Sequence, residues 1–133
     1  MRTTQQLSTG LPGLDEALKG ILAGDNIVWM VDGVEDYRIF VAPYAEQAVR
    51  AGHELVYFRF AEHEPLLDLE EAHTYELRPE DGFENFIAAI HEVIERHGRG
   101  THYVFDCLSE LASTWYSEQM LANFFMLTCP YLY

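Results

Sequence analysis

Residues Asn26 to Phe40 read NIVWMVDGVEDYRIF. The apolar run Ile27 to Val31 has the composition of a fully buried strand, and Asp32-Gly33 then turns the chain into a segment with helical spacing. Strand, glycine-bearing loop and helix, in that order, form the unit with which open α/β proteins hold phosphate. Loop N–H groups surround the anion and the helix N-terminus adds a favourable dipole. Here the loop has the position of such a cradle but not its chemistry.

On the N-terminal side, residues 1–10 are polar and are expected to be loose. A short helix over Leu11 to Leu18 follows, with Leu14, Ala17, Leu18 and Ile21 on one face, ended by Gly20 and the turn Ala23-Gly24-Asp25. On the C-terminal side, Asp36 is expected to cap a helix running to about Ala51, with Pro43 in its first turns. ELVYFRFA, Glu54 to Ala61, reads as a second buried strand, and the acidic Glu62 to Glu71 as loop or short helix. His73 to Leu77 reads as a third strand. Phe83 to His97 carries a single stripe of Phe83, Phe86, Ile87, Ile90, Val93 and Ile94, the clearest amphipathic helix in the chain. THYVFDC, Thr101 to Cys107, is the fourth strand, and Leu108 to Leu127 reads mainly as helix. Strands alternating with helices predict one α/β domain over residues 1–133: a mainly parallel sheet, right-handed crossovers, and helices on both faces in three layers.

Composition narrows the function classes. The chain is 49% hydrophobic and 14% aromatic, enough for a packed core. Its 22 acidic against 8 basic residues give a formal charge of −14, which repels nucleic acid and anionic membrane surfaces, so neither is expected as a partner. No apolar run approaches the roughly 18 residues that span a bilayer, and the N-terminus lacks a signal-peptide core. Cys107 and Cys129 form no C-x-x-C pair and are read as reduced thiols, which places the chain in the cytoplasm. His63-Glu64 and His91-Glu92 do not continue into H-E-x-x-H; His91 and Glu95 share a helix face, read as exposed and polar. No metal and no cofactor are expected.

The order of pieces resembles the RecA/KaiC-like ATPases over about residues 8 to 115. Ser8-Thr9-Gly10-Leu11-Pro12-Gly13-Leu14-Asp15 is similar to their TG-x-x-G-x-D opening, and Gly24-Asp25 to the approach to their P-loop. Tyr57 to Glu62 resembles the strand that ends in their catalytic acidic pair, and Tyr103 to Ser109 resembles their Walker B strand. The resemblance implies a RecA-like P-loop NTPase fold with further strands, so this chain is expected to be truncated. The phrases Asp36-Tyr37, Tyr57 to Ala61, Tyr103 to Ser109, Asn123 to Met126 and Cys129 to Leu132 also resemble the N-terminal region of bacterial PEP synthase-like proteins, which carry a PEP/pyruvate-binding domain. That implies the front part of a longer protein, without its phosphotransfer machinery.

The P-loop is where the resemblance fails. Against G-x-x-x-x-G-K-[ST], only Gly33 survives; the second glycine falls on Arg38, the lysine on Ile39 and the hydroxyl on Phe40. A one-residue shift brings Arg38 to the lysine position at the cost of the glycine register. Glu35 and Asp36 add carboxylates where phosphate would sit, and like unit charges 4 Å apart repel by about 4 kcal/mol at an effective dielectric of 20. Among family positions, Gly33, Arg38, Asp106 and Glu62 remain as candidates for nucleotide binding. Asp106 reads either as a Mg²⁺-directed carboxylate or, preferred here, as a cap on the helix starting near Leu108. Glu62 matches the second member of the acidic pair, Ala61 replaces the first, and a solvated loop acid is its plainer role. No catalytic residue is assigned.

The resulting expectation is a degenerate, non-catalytic binding, assembly or regulatory domain that partners itself or a C-terminal domain of the same protein. Trp115 to Tyr133, rich in aromatics, is a candidate contact surface as well as a candidate core helix. The alternative is an atypical ATP-binding enzyme built from Asp106, Glu62 and Arg38, or a sensor of a smaller metabolite bound at the strand C-terminal ends.

Overall fold

Leu55, Val56, Tyr57 and Phe58 are wholly shielded from solvent, and their alternating side chains feed two separate cores. The structure, a computed structural model, describes residues 6–22, 26–60, 62–67, 69–98, 100–115 and 118–132. In chain order the elements are β1 (Gln6–Leu7), α1 (Pro12–Leu18), β2 (Ile21–Leu22), α2 (Val34–Arg50), β3 (Leu55–Arg59) and β4 (Ala72–Glu76). A short 3₁₀ turn, Pro79–Asp81, then precedes α3 (Phe83–His97), β5 (His102–Asp106), α4 (Leu108–Trp115) and α5 (Glu118–Leu132).

Strand β3 lies between β4 and β5, parallel to both. Val56 and Phe58 face Phe86, Ile90 and Ile94 of α3, Leu111 of α4 and Phe124 of α5. Leu55 and Tyr57 face Val41 and Ala45 of α2, together with Leu66 and Leu67 from the loop before β4. Helices thus cover both faces of a parallel sheet, the layering expected from strand–helix alternation. Each large apolar side chain buried this way is worth about 1.5–3 kcal/mol. The α3 stripe was read within its true bounds, and its buried residues are Phe86, Ile87, Ile90, Val93 and Ile94.

Four expectations need correction. Ile27 to Val31 is no strand: the segment lies outside the sheet, with Val28 61% and Met30 96% exposed. Trp29 instead folds back to stack on Phe40 of α2, ring centroids 4.3 Å apart. Asp36 does not cap α2; its N–H and that of Tyr37 already bond the Gly33 carbonyl, so the helix begins at Val34 and Pro43 falls in mid-helix. There the proline has no N–H to offer the Ile39 carbonyl.

Residues 8–10 are not loose. Asp15 accepts hydrogen bonds from Ser8 Oγ at 2.5 Å, Thr9 N at 2.8 Å and Thr9 Oγ1 at 2.7 Å, and Thr9 is buried. Burial works against the Asp15 carboxylate, yet these bonds hold its pKa below the usual value. The T-G-x-x-G-x-D phrase is therefore a local loop lock, and α1 buries none of its own residues. Ile21 joins β2, which pairs antiparallel with β1. Leu108 to Leu127 is mainly helix, as read: α4 and α5 account for its described residues, and α5 continues through Cys129 to Leu132. Trp115 of α4 donates its indole N–H to the Pro79 carbonyl, among Phe83, Phe86 and Phe124. Among the described residues of the aromatic C-terminal segment, Phe124 is core and Trp115, Leu121 and Phe125 pack against it, whereas Met126 and Leu127 face solvent. The turn Ala23-Gly24-Asp25, residues 1–5, Ala61 and Tyr133 lie outside the described residues.

Candidate functional site

Parallel register sets Glu76, Arg59 and Asp106 in one row across the C-terminal ends of β4, β3 and β5. Open α/β sheets place their ligands at this end. The row is already committed to itself. Arg59 Nη1 donates to Glu76 at 3.1 Å, and Nη2 donates to the His63 carbonyl. His63, on the loop after β3, turns its Nε2 to Asp106 Oδ1 at 2.8 Å. Tyr57, two residues before Arg59 on the same face of β3, donates its hydroxyl to the other oxygen of Asp106. That same hydroxyl accepts the Leu66 N–H at 3.2 Å, which ties the loop down over the strand ends.

Asp106 is fully buried. Its carboxylate bonds run sideways to Tyr57 and His63, so the expected helix-capping role gives way to a loop-anchoring one. Burial, then the bond to Asp106, pushes the Tyr57 phenol well above its ordinary pKa. Tyr37 of α2 reaches the Phe105 carbonyl at 3.4 Å and is shifted the same way, by burial first and then by Asp106. Tyr37 thus links the start of α2 to the end of β5.

His63, Asp106 and Cys107 each offer one ligand atom within 4.8 Å of the others. The composition suggests a Cys-His-Asp nucleophile, but the wiring does not. A histidine that activates a thiol needs one ring nitrogen for the carboxylate and the other for sulfur. Here His63 Nε2 faces Asp106 and Nδ1 faces the Glu64 carbonyl at 2.7 Å. Burial also pushes the Cys107 thiol up, away from thiolate.

The four candidate residues are not assembled into a phosphate site. Gly33 is the N-cap of α2 with an ordinary φ of −147°, and a Cβ placed there meets nothing within 4 Å. No ligand-driven need for glycine is visible at that position. Arg38 pairs with Glu35 at 3.3 Å on an exposed helix face. Glu35 and Asp36 occupy the first turn of α2, so the helix supplies its own anions to its dipole. Ile39, at the lysine position, is 62% exposed. Glu62 lines a cleft of about 340 Å³ that shares Arg59 and Glu76 with the row across the strand ends and adds Arg78, Glu80 and Glu110. Both arginines there are paired, Arg59 to Glu76 and Arg78 to Glu80 at 2.9 Å, leaving an acidic excess.

Sequence reasoning missed Tyr57 and His63 as partners of Asp106. The signal available was weak: Tyr57 shares a strand face with Arg59, but His63 reaches Asp106 across 43 positions. His91 is half-buried rather than exposed. It turns its Nε2 toward buried Thr128 of α5 at 3.4 Å, and burial lowers its pKa.

No protein-family model matches the chain, and no curated protein matches it. Among the described residues no helix is long and apolar enough to cross a membrane.

Proposed function

We propose that this chain is a non-catalytic RecA/KaiC-like binding and assembly module, the N-terminal part of a PEP synthase-like protein, whose nucleotide site has been converted into structure. The observation that carries the reading is Asp106: fully buried, with both carboxylate oxygens taken by Tyr57 and His63. A Mg²⁺ ion recruited by this carboxylate would have to reach a side chain closed to solvent and compete with those bonds. Two further features agree. The start of α2 is neutralised by Glu35 and Asp36, and the cleft that holds Glu62 carries more acids than bases. Both disfavour polyphosphate and PEP alike.

In place of a phosphate cradle, the 26–33 segment offers apolar surface. Ile27, Val28, Met30 and Val31 are exposed, and exposed Ile39 lies on the helix that follows. Contiguous apolar exposure of this kind marks an association surface. The module assembles through it, with a second copy or with the C-terminal part of the longer protein.

Thermal-shift and calorimetric titration with Mg-ATP, ADP, PEP and pyruvate tests the reading. A ligand that binds only the native state adds about 2.7 kcal/mol at a hundredfold excess over Kd. The expected result is no shift at millimolar ligand. A clear rise in Tm with Mg-ATP overturns it and restores an active or sensing site.

A further inference from the structure

At the opposite end of the sheet, the N-terminal ends of the strands gather a second cluster. Glu54 immediately precedes β3, His73 is the second residue of β4, and His97 is the last residue of α3. The register Val56↔His73 sets β4 beside β3, and the His102 N–H bonds the Glu54 carbonyl at 2.8 Å, fixing the backbone of the carboxylate. One ligand atom from each of the three side chains lies within 4.8 Å of the others.

We infer that Glu54, His73 and His97 form a site for a divalent transition metal of the Zn²⁺ class. The distances bear on this and on a plain ion pair. His97 Nδ1 is 3.4 Å and His73 Nε2 is 3.7 Å from the Glu54 carboxylate oxygens. Both are long for charge-assisted hydrogen bonds, which settle near ~2.8 Å. They lie close to the edge of a tetrahedron, which for metal–ligand bonds of ~2.1 Å is ~3.4 Å. His97 faces Glu54 Oε2 and His73 faces Oε1, so an ion between the rings meets the carboxylate from both sides.

The outer partner is also in place. Tyr75 Oη lies 2.8 Å from His97 Nε2, the ring nitrogen turned away from Glu54. With Nε2–H donating to Tyr75, the Nδ1 lone pair is aimed at the cluster, which is how ligating histidines are oriented. Two imidazoles and one carboxylate suit Zn²⁺, Co²⁺, Ni²⁺ or Cu²⁺ rather than the oxygen-seeking Ca²⁺ and Mg²⁺. Water completes the coordination, because Glu54 and His73 are half-exposed. The ion staples the starts of β3 and β4 to the end of α3, so its binding adds to folding stability.

The test is calorimetric titration of the whole chain with Zn²⁺, with Ca²⁺ as the comparison, alongside thermal melts and Co²⁺ absorption spectra. One equivalent of Zn²⁺ is expected to bind and to raise Tm by several degrees at ~100-fold excess over Kd, while Ca²⁺ does neither. Glu54→Gln and His73→Ala alter exposed side chains, so both fold; each is expected to weaken binding by more than tenfold, and Tyr75→Phe by about tenfold. Cys107→Ser should leave binding unchanged, and bound Co²⁺ should show tetrahedral d–d bands without thiolate charge transfer. Absence of Zn²⁺ binding overturns the inference. So does binding that survives both Glu54→Gln and His73→Ala, or binding lost in Cys107→Ser, which would place the ion at the His63–Asp106 cluster.

Discussion

Tyr57 donates its hydroxyl to Asp106 in a part of the sheet that admits no solvent to either residue. The pair makes Asp106 a structural acid. Tyr57→Phe keeps the ring in its core but leaves a buried carboxylate oxygen and the Leu66 N–H without their partner. Leaving such groups unsatisfied costs about 1–3 kcal/mol each. Urea denaturation of Tyr57→Phe is expected to show a loss of about 2–6 kcal/mol. If the midpoint does not move, Asp106 is not held by this bond and is free for a ligand.

How far the sequence was legible follows from what periodicity can encode. Phe83 to His97 was readable because its apolar positions repeat at helical spacing and all find the same core. Strands β3 and β5 were readable as aromatic and β-branched runs, and their parallel pairing followed from the helices between them. Ile27 to Val31 is as rich in β-branched and large apolar residues as β3, yet composition does not say what will cover it. Trp29 found Phe40, and the rest of the run stayed outside the sheet. The two clusters of chemistry were not legible at all. His63 meets Asp106 because a loop folds over strand ends, and Glu54 meets His73 and His97 through strand register and helix length. Neither relation leaves a short-range spacing in the chain.

His102 predicts an acid-sensitive fold. It is buried between the rings of Tyr44 and His53, and among the described residues neither ring nitrogen has a hydrogen-bond partner. Burial, then the neighbouring His53, pushes its pKa down to about 4. The native chain thus holds it neutral, while the unfolded chain protonates it near ~6.5. Between those values the unfolded state binds the extra proton, so stability is intact above ~6.5 and falls as pH drops toward 4, by about 2–3 kcal/mol. His102→Phe keeps the stack and removes the titration. Denaturant midpoints measured from pH 7.5 to pH 4 should fall less steeply for the variant; parallel curves would assign the acid loss elsewhere.

The two glycines of the family-like motifs should behave oppositely. Gly10 has φ +85°, and a Cβ there would lie 2.2 Å from the Pro43 carbonyl oxygen, so the loop lock around Asp15 packs on the α2 backbone. Gly10→Ala is expected to cost more than about 2 kcal/mol, through both backbone conformation and collision. Gly33 has an allowed φ and open space around it. Gly33→Ala should stay within about 1 kcal/mol, the range of an N-cap exchange. Thermal melts of the two variants measure this directly. A large loss at Gly33 would mean that close backbone approach there matters, as it does in a phosphate loop.

The exposed 27–31 segment separates assembly from a hidden fourth strand. If Val28 and Met30 serve association, replacing them with charge should leave the isolated fold alone, because neither side chain is buried within the chain. The double variant Val28→Lys, Met30→Glu is expected to change unfolding free energy by no more than about 0.5 kcal/mol. Light scattering over a concentration series should at the same time show the native chain self-associating and the variant remaining monomeric. If the variant instead loses about 2 kcal/mol or more, the segment is packed inside the protomer. The strand reading of Ile27 to Val31 would then return, and with it a sheet extended beyond β5 toward the arrangement that the RecA/KaiC-like resemblance implies.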